Sequence, residues 1–180
     1  MEGNLTKLRP LEQQDSEILF SWYRDLEVTD LLDIDLPVGM IAIMDMITKK
    51  TTSLDSVGFM IEDMKTSAPI GIIMLNGINW VDRKAELGIM IGDKGYWSKG
   101  YGEDAAKTLL GYAFNRLDLH RIFLKTYSFN ERAIRCFEKC GFKEEGRLRA
   151  GRYWKGKRHD VLVMSMISDE FLEAMRNDQW

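Results

Sequence analysis

The stretch IGDKGYWSKGYGEDAAKTLL, residues 91–110, is the most informative part of the chain because an apolar strand, a loop and an amphipathic helix follow one another there. Glycine recurs through the loop, at Gly92, Gly95, Gly100 and Gly102. Glycine lets the backbone approach a bulky group, and the first turn of a helix offers unpaired N–H groups with partial positive charge. Lys99 adds a full positive charge nearby. The segment therefore predicts a pyrophosphate site, although a glycine-rich loop without a ligand would show the same pattern.

Outward from residues 91–110, the apolar periodicity predicts an α/β (α+β) chain. An antiparallel meander comes first, then a strand-loop-helix-strand-helix unit, and then a closing hairpin. The predicted strands are Asn4–Pro10, Val57–Glu62, Ile70–Trp80, Glu86–Ile91, Arg121–Tyr127, Lys143–Trp154 and Arg158–Ile167. The predicted helices are Asp15–Glu27, Ile41–Lys50, Glu103–Leu117, one from an Asn130 N-cap to about Lys139, and a short one from Ser168.

Composition narrows the class of protein. The 180 residues contain no linker-like stretch, which predicts a single domain over residues 1–180. The polar N-terminus and the absence of a long apolar run predict a cytoplasmic protein without a membrane span. A net charge of -3 gives no general case for nucleic-acid binding. Cys136 and Cys140 are the only cysteines, and they complete no metal-ligand spacing with His120 or His159.

Several linked motifs resemble those of one enzyme superfamily. WSKGYGEDA is similar to the acetyl-CoA loop of the GNAT N-acetyltransferases, Gln/Arg-x-x-Gly-x-Gly/Ala, and NERAIRCFEKCGFKEEG is similar to their next helix and strand. KLRPLE and the ending RYWKGKRHDVLVMSM resemble the RimJ/RimL (SpeG-like) branch. The match follows nearly the whole chain and is weakest between Asp15 and Thr52. It implies a single GNAT-like domain with a mixed central sheet of about seven strands, flanking helices and a splay between the two central parallel strands.

The resemblance implies acetyl-CoA as cosubstrate and no metal. In the family the splayed strands leave backbone groups free for the cofactor, and here those strands would be Glu86–Ile91 and Arg121–Tyr127. The implied cofactor contacts are Ile89, Met90, Ile91, Trp97, Ser98, Lys99, Gly100, Tyr101, Gly102, Glu103, Asn130 and Phe137. Asn130 is equally well explained as a helix N-cap. Trp97 replaces the usual glutamine or arginine and Ser98 a common glycine, so we expect one phosphate contact to be lost or replaced.

Catalysis requires a base for the acceptor amine, because an alkylammonium has a pKa of about 10. By resemblance the base is Glu86, although a surface carboxylate at the start of a strand would look the same. Phe137 replaces the tyrosine that serves as acid in many relatives, and it has no proton to give. Cys136 lies about 100° around the helix and is expected to point elsewhere. The acid is therefore water, another side chain, or absent.

Two charged clusters suggest different acceptors. Asp30, Asp33 and Asp35 lie where the SpeG-like branch uses acidic residues to attract polyamines, and a solvated acidic loop is the alternative. The closing hairpin carries cations beside two aromatic residues: Arg147, Arg149, Arg152, Lys155, Lys157 and Arg158, with Tyr153 and Trp154. These cations would suit an RNA or ribosomal surface, or would only protect an edge strand from aggregation.

The sequence thus predicts transfer of an acetyl group from acetyl-CoA to a primary amine by direct attack in a ternary complex. The amine belongs to a small molecule such as a polyamine, or to a protein N-terminus. The alternatives are a catalytically impaired GNAT-fold acyl-CoA-binding module, motivated by Trp97, Ser98 and Phe137, and a ribosome- or RNA-associated protein. Membrane and nucleic-acid partners are not expected. The closing hairpin and its exposed aromatic residues offer a surface for a homodimer.

Overall fold

The backbone forms one mixed sheet in a computed structural model that describes residues 1–32 and 38–177. Its strands are β1 (Thr6–Pro10), β2 (Val57–Asp63), β3 (Pro69–Asn79), β4 (Lys84–Ile91), β5 (Arg121–Tyr127), β6 (Lys143–Trp154) and β7 (Lys157–Ile167). The helices are α1 (Ser16–Tyr23), α2 (Leu26–Thr29), α3 (Met40–Thr52), α4 (Tyr101–Asn115), α5 (Glu131–Lys139) and α6 (Ser168–Arg176). The strand order is β1-β2-β3-β4-β5-β7-β6, which confirms the predicted α/β (α+β) class and mixed sheet.

The two central strands part after a short contact, as predicted. β4 and β5 are parallel and pair only from Lys84–Glu86 to Arg121–Phe123. Beyond Glu86, β4 stays bonded to β3 as far as Ile91, while β5 stays bonded to β7 as far as Tyr127. Each strand therefore keeps one neighbour and loses the other. Because unpaired backbone N–H and C=O groups need partners, this splay is a natural place for a ligand.

Helices cover both faces of the sheet. On one face α4 packs Leu109 and Leu110 against β-strand residues such as Leu75 and Leu87. On the other face α1 and α3 pack against Met90 and its neighbours, through Leu19, Trp22, Ile43 and Ile47. Alternation along β4 sends Leu87 to the first layer and Met90 to the second. The splay thus opens between the two layers.

The predicted helix Asp15–Glu27 is wrong as a single element. It is divided into a 3-10 turn, Gln13–Asp15, followed by α1 and α2. The break arises because Asp25 has extended backbone and caps α2 by accepting from the Glu27 N–H at 3.0 Å. Asp15 makes no side-chain cap for α1. Its carboxylate instead accepts from Nη1 and Nη2 of Arg9, at 2.9 and 2.7 Å.

Other boundaries agree closely with expectation. α4 begins at Tyr101 rather than Glu103, directly after Gly100 with a φ of 89°. The Asn130 side chain caps α5 by accepting from the Ala133 N–H at 3.2 Å, as predicted. In the part of the chain that the structure describes, none of the helices combines the length and apolar character that crossing a membrane requires.

Candidate active site

A cavity of about 370 Å³ lies at the splay, between the end of β4, the start of α4 and the length of α5. It brings together all the predicted cofactor positions except Lys99 and Tyr101. Those lining it are Ile89, Met90, Ile91, Trp97, Ser98, Gly100, Gly102, Glu103, Asn130 and Phe137. Its wall is more apolar on the β4 side and is crossed by cationic side chains on the α5 side. This combination suits a long ligand with an apolar arm and an anionic group.

Lys99 and Tyr101 lie outside the cavity. The Lys99 side chain is exposed. Tyr101 packs edge-on against Tyr96, with ring centroids 4.8 Å apart, in the direction of Asp63. Burial and the nearby Asp63 carboxylate raise the pKa of the Tyr101 hydroxyl. The Tyr101 side chain therefore packs against Tyr96 of the loop, outside the cavity.

The start of α4 offers unpaired N–H groups to the cavity. The first intrahelical bond runs from the Asp104 N–H to the Gly100 carbonyl at 3.0 Å, which leaves the N–H groups of Tyr101, Gly102 and Glu103 without helix partners. No side chain caps this helix. The Glu103 carboxylate pairs with Lys107 at 3.2 Å, so the backbone is the part of Glu103 that suits an anion. An anion is the natural cap for such an N-terminus.

The loop before α4 contains a left-handed residue that is not glycine. Ser98 has a φ of 58°, a region that L-residues enter at a cost of roughly 1–2 kcal/mol. The resemblance places a glycine at this position in many relatives, and the observed φ supplies the physical reason. The serine therefore keeps the loop shape that glycine would adopt without strain.

Residues 25–32, which contain α2 and are called the α2 segment below, reach the cavity, which the sequence did not predict. Val28, Leu31 and Leu32 line the wall opposite α5. Lys94 of the β4–α4 loop holds this segment in place through Asp25 at 2.8 Å and Glu27 at 2.5 Å. A hydrogen bond from Lys94 lowers the pKa of the Asp25 carboxyl. The only hint in the sequence was charge complementarity over a long separation, which does not identify partners.

The α5 helix contributes more than its predicted residues. Arg132, Arg135 and Lys139 line the cavity at helical spacing, on the same face as Cys136. The expectation that Cys136 points elsewhere is wrong, because the cavity runs along α5 and adjacent residues both reach it. A hydrogen bond with Cys140 lowers the pKa of the Cys136 thiol. The i, i+3, i+7 spacing of the cations was visible in the sequence and is the signal that could have found them.

Phe137 lies inside the protein at the cavity wall. Its side chain is 5% exposed and packs edge-on against Phe142, with centroids 5.7 Å apart. The position therefore presents an apolar surface to the cavity where a hydroxyl would stand in a tyrosine. No proton can come from this side chain.

Glu86 lies at the point where β4 and β5 stop pairing, outside the cavity lining. It shares a face with Met90, the face covered by α1–α3. Its side chain is 35% exposed, and Lys125 Nζ is 3.7 Å from Oε1. Across the strand pair stands Asn76, which accepts a hydrogen bond from Lys50. Glu86 is thus a partly exposed carboxylate at the base of the splay, where β4 and β5 separate.

The acidic and basic clusters, which the sequence treats as separate surfaces, meet each other. Asp30 Oδ2 lies 3.6 Å from Lys155 Nζ. Asp33 and Asp35 lie outside the described residues. Arg152 donates to the Leu32 carbonyl at 3.5 Å and lies 5.2 Å over the Tyr127 ring. The β6–β7 hairpin therefore rests partly on the α2 segment of its own chain.

Two of the remaining hairpin cations, Arg147 and Arg158, also have partners within the chain. Arg147 pairs with Glu144 at 2.6 Å, and the Arg158 guanidinium lies 5.8 Å over the Tyr153 ring. Lys155 additionally lies 4.3 Å over the Trp154 ring. Because internal partners reduce the free positive charge, this hairpin is a poorer polyanion surface than its composition suggests.

Known proteins resemble this chain in both sequence and fold. A family model described as "Acetyltransferase (GNAT) domain" matches residues 6–143. The uncharacterized N-acetyltransferase p20 of Bacillus licheniformis is 30% identical over 167 residues, 91% of this chain and 93% of that protein. The putative ribosomal N-acetyltransferase YdaF of Bacillus subtilis is 37% identical over 101 residues, 56% of this chain and 55% of that protein.

A solved structure shows the same architecture. The crystal structure of spermidine N-acetyltransferase from Vibrio cholerae, in complex with CoA and spermine, superposes with a TM-score of 0.86. Sequence identity is 26%, and the superposition covers 93% of this chain and 98% of that one.

Proposed function

Because the chain belongs to the GNAT acetyltransferase family, and therefore transfers an acetyl group from acetyl-CoA to an amine, we propose that its acceptor is a polyamine. The acceptor class supported by the relatives is a small-molecule amine. The narrower assignment rests on the spermine-bound structure of the Vibrio cholerae enzyme, which covers nearly this whole chain. A polyamine carries several ammonium groups along an apolar chain, so it needs carboxylates at more than one point.

We assign cofactor binding to the cavity at the splay. The pyrophosphate would lie against the N–H groups of Gly102 and Glu103, where the α4 dipole favours negative charge. The pantetheine arm would pass between β4 and β5, bonding to backbone groups of Ile89 and Ile91 that have no β5 partner. The thioester would then lie beside Phe137, whose ring keeps water from the acyl carbon.

Glu86 is the base in this proposal. The acceptor nitrogen must lose a proton before it can attack the thioester carbonyl. Glu86 stands at the base of the splay on the face opposite α4, so an amine that approaches from that face meets the carboxylate and the carbonyl together. The carboxylate takes the proton directly or through one water molecule. Lys125, at 3.7 Å, moves aside or orients the carboxylate as the ammonium arrives.

The leaving thiolate receives its proton from water, and the proton that the nitrogen loses as the amide forms returns to water. Phe137 occupies the position from which a tyrosine would act, and it has no exchangeable proton. A thiolate is a good leaving group with a pKa near that of free cysteine, about 8.5, so expulsion without an acid is slower but feasible near neutral pH. The family reaction therefore needs no further side chain to be complete.

Asp30 supplies a second carboxylate for the polyamine in this proposal. It lies at the edge of the α2 segment, which forms one wall of the cavity, and its present partner is Lys155 at 3.6 Å. The Lys155 ammonium beside Asp30 is chemically similar to an alkylammonium ligand bound to the same carboxylate. The substrate would compete with Lys155 for Asp30, so this contact adds selectivity more than affinity.

A protein N-terminus is the second candidate acceptor, favoured by the identity to YdaF. A peptide would have to enter the same face past the β6–β7 hairpin. Since that hairpin is engaged with α2, we place this candidate behind the polyamine.

The test is CoA release from acetyl-CoA with a panel of amines: spermidine, spermine, single amino acids, aminoglycosides and peptides with free N-termini. The proposal expects the highest kcat/KM with a polyamine and a monoacetylated product by mass spectrometry. Turnover of peptides alone would replace the polyamine by the second candidate. Tight acetyl-CoA binding without turnover of any amine would point to a binding module without catalysis.

A further inference from the structure

Trp97 and Arg132 together form a contact that the loop sequence alone does not reveal. Trp97 stands where the family loop carries a glutamine or arginine. Its indole Nε1 donates to the Ile91 carbonyl at 2.7 Å, which fixes the ring against the end of β4. The Arg132 guanidinium, from the first turn of α5, lies 3.8 Å over this ring. Both side chains line the cavity.

The Arg132 guanidinium lacks an anionic partner in the described chain, residues 1–32 and 38–177. No carboxylate there lies within salt-bridge distance of it, although its neighbour Arg135 pairs with Glu131 at 3.0 Å. The side chain is partly buried, and burial lowers its pKa. A partly buried charge without a counter-ion is costly, and an anionic ligand would offset that cost.

We propose that Arg132, supported by the Trp97 indole, binds the pyrophosphate of acetyl-CoA in place of the loop side chain that this sequence lacks. A guanidinium offers paired N–H donors that match phosphate oxygens, and it stacks well on an indole face. In this chain the cation that faces the pyrophosphate would come from α5, as Arg132, and the loop residue Trp97 would support it. Arg132 is a binding residue here, and Trp97 is a positioning residue.

The hydrogen bond from the Trp97 indole to the Ile91 carbonyl also fixes the ring before the cofactor binds. With Nε1 donating to it, the Ile91 carbonyl already has one partner before the cofactor arrives. The indole cannot rotate without breaking this bond, so the platform for Arg132 is in place in advance. Preorganisation of this kind lowers the entropy lost when the pyrophosphate is bound.

Calorimetric binding of truncated cofactors tests the proposal. Arg132→Met keeps the aliphatic stem and removes the charge. The expected Kd for CoA rises about tenfold, the usual size of a lost charge-assisted hydrogen bond. The same rise is expected for 3′-dephospho-CoA, which keeps the pyrophosphate. Pantetheine lacks every phosphate, so its Kd should be unchanged within about twofold.

Two results would overturn the assignment. A penalty that disappears with 3′-dephospho-CoA would place Arg132 on the 3′-phosphate. A penalty that persists with pantetheine would show a general disturbance of the cavity. Arg116→Met, an exposed arginine at the end of α4, is the matched control and should bind CoA as the unaltered protein does. Thermal melting of each variant separates loss of folding from loss of binding.

A double-mutant cycle tests the role of Trp97. Trp97→Leu removes the platform, and its penalty on CoA binding should overlap with that of Arg132→Met, so the double variant is no weaker than the worse single one. Full additivity would contradict the support role. Trp97→Phe keeps an aromatic ring but loses the hydrogen bond to the Ile91 carbonyl. Its Kd for CoA should lie between those of the unaltered protein and Trp97→Leu. These readouts need only CoA, so they stand even if no polyamine is acetylated.

Discussion

The proposed cofactor half of the site is built mostly from the stretch between Ile89 and Phe137, whereas the proposed acceptor half combines α2, β4, β5 and the β6–β7 hairpin. In the cofactor half the groups offered to the ligand are largely backbone N–H groups, placed by a strand end and a helix start. In the acceptor half they are carboxylates, each already beside a lysine of the chain: Glu86 by Lys125 and Asp30 by Lys155.

The groups proposed to bind the cofactor are therefore positioned before it arrives, whereas the acceptor would have to displace lysine side chains from their carboxylates. The N–H groups in the first turn of α4 have no intrahelical partner and are held in place by the helix, so the proposed cofactor would meet a prepared site. In the proposed acceptor site, the ammonium groups of the substrate would replace lysines that lie 3.7 and 3.6 Å from the carboxylates, in exposed pairs that hold weakly. Rising salt should therefore weaken acceptor binding, which depends on exposed charges, more than it weakens cofactor binding.

The largest effect should come from removing the base. Glu86→Gln keeps the shape of the side chain and should lower kcat by about 100-fold, within the usual range for general base catalysis. The KM for acetyl-CoA should stay the same, because Glu86 lies outside the cofactor cavity. Steady-state kinetics with both substrates varied checks this, with Glu17→Gln, an exposed residue of α1, as the control. An unchanged kcat would remove Glu86 from the mechanism.

The next effect concerns the prepared half alone. Gly100→Ala forces a side chain into a φ of 89° and should cost about 1–2 kcal/mol of unfolding free energy. It should also raise the KM for acetyl-CoA and leave the KM for the amine in place. Gly111→Ala in the same helix meets open space and should stabilise the protein by up to about 1 kcal/mol. Denaturant unfolding measures the change in unfolding free energy of both variants. Changes of the same sign in Gly100→Ala and Gly111→Ala would contradict the account.

Smaller and opposite effects should appear in the acceptor half. Asp30→Asn should raise the KM for spermine about twofold, and Lys155→Met should lower it about twofold, the scale of an exposed ion pair. Acetyl-CoA kinetics should not respond to either change. Lys157→Met, exposed on the same hairpin, is the control. If both changes act in the same direction, Lys155 does not compete with the substrate for Asp30.

The smallest effect is one of stability and pH. Hydrogen bonds from Arg121, and then from Ser165, lower the pKa of Glu145 from 4.5 to about 2. A carboxyl whose folded pKa is depressed stabilises the protein above its unfolded pKa, and this contribution is lost as pH falls from 4.5 towards 2. The side chain is 41% exposed, so the contribution at pH 7 should not exceed about 1 kcal/mol.

Glu145→Gln tests that claim through unfolding free energies measured across the same pH range. The variant should be slightly less stable than the unaltered protein at pH 7 and converge with it as the pH approaches 2. A gap that stays constant with pH would mean that the pair with Arg121 contributes through packing instead of charge.

The sequence predicted well which residues meet at the splay cavity, because local patterns determine their positions. Asn130 as the cap of α5 and the glycine-rich start of α4 depend on residues a few positions apart. The splay followed from the family resemblance and is confirmed. The division of Asp15–Glu27 was missed because Asp25 caps a second short helix inside that range, while the Asp15 carboxylate binds Arg9 instead of capping α1.

The acceptor half was predicted poorly because its contacts span long stretches of sequence. The acidic and basic clusters were visible, but composition cannot show that Asp30 meets Lys155 or that Arg152 reaches the Leu32 carbonyl. The stacking of Arg132 on Trp97 joins two elements in the same way. In each case the residue types were conspicuous and the pairing depended on the fold.

A crystal structure of the protein with CoA and spermine tests the central claim most directly. We expect the pyrophosphate at the start of α4 beside Arg132, and the CoA sulfur beside Phe137. A spermine nitrogen should lie roughly 3–4 Å from that sulfur, within reach of Glu86 directly or through one water molecule. CoA bound away from the splay, or spermine bound only near Asp30 with no nitrogen near the sulfur, would contradict the account.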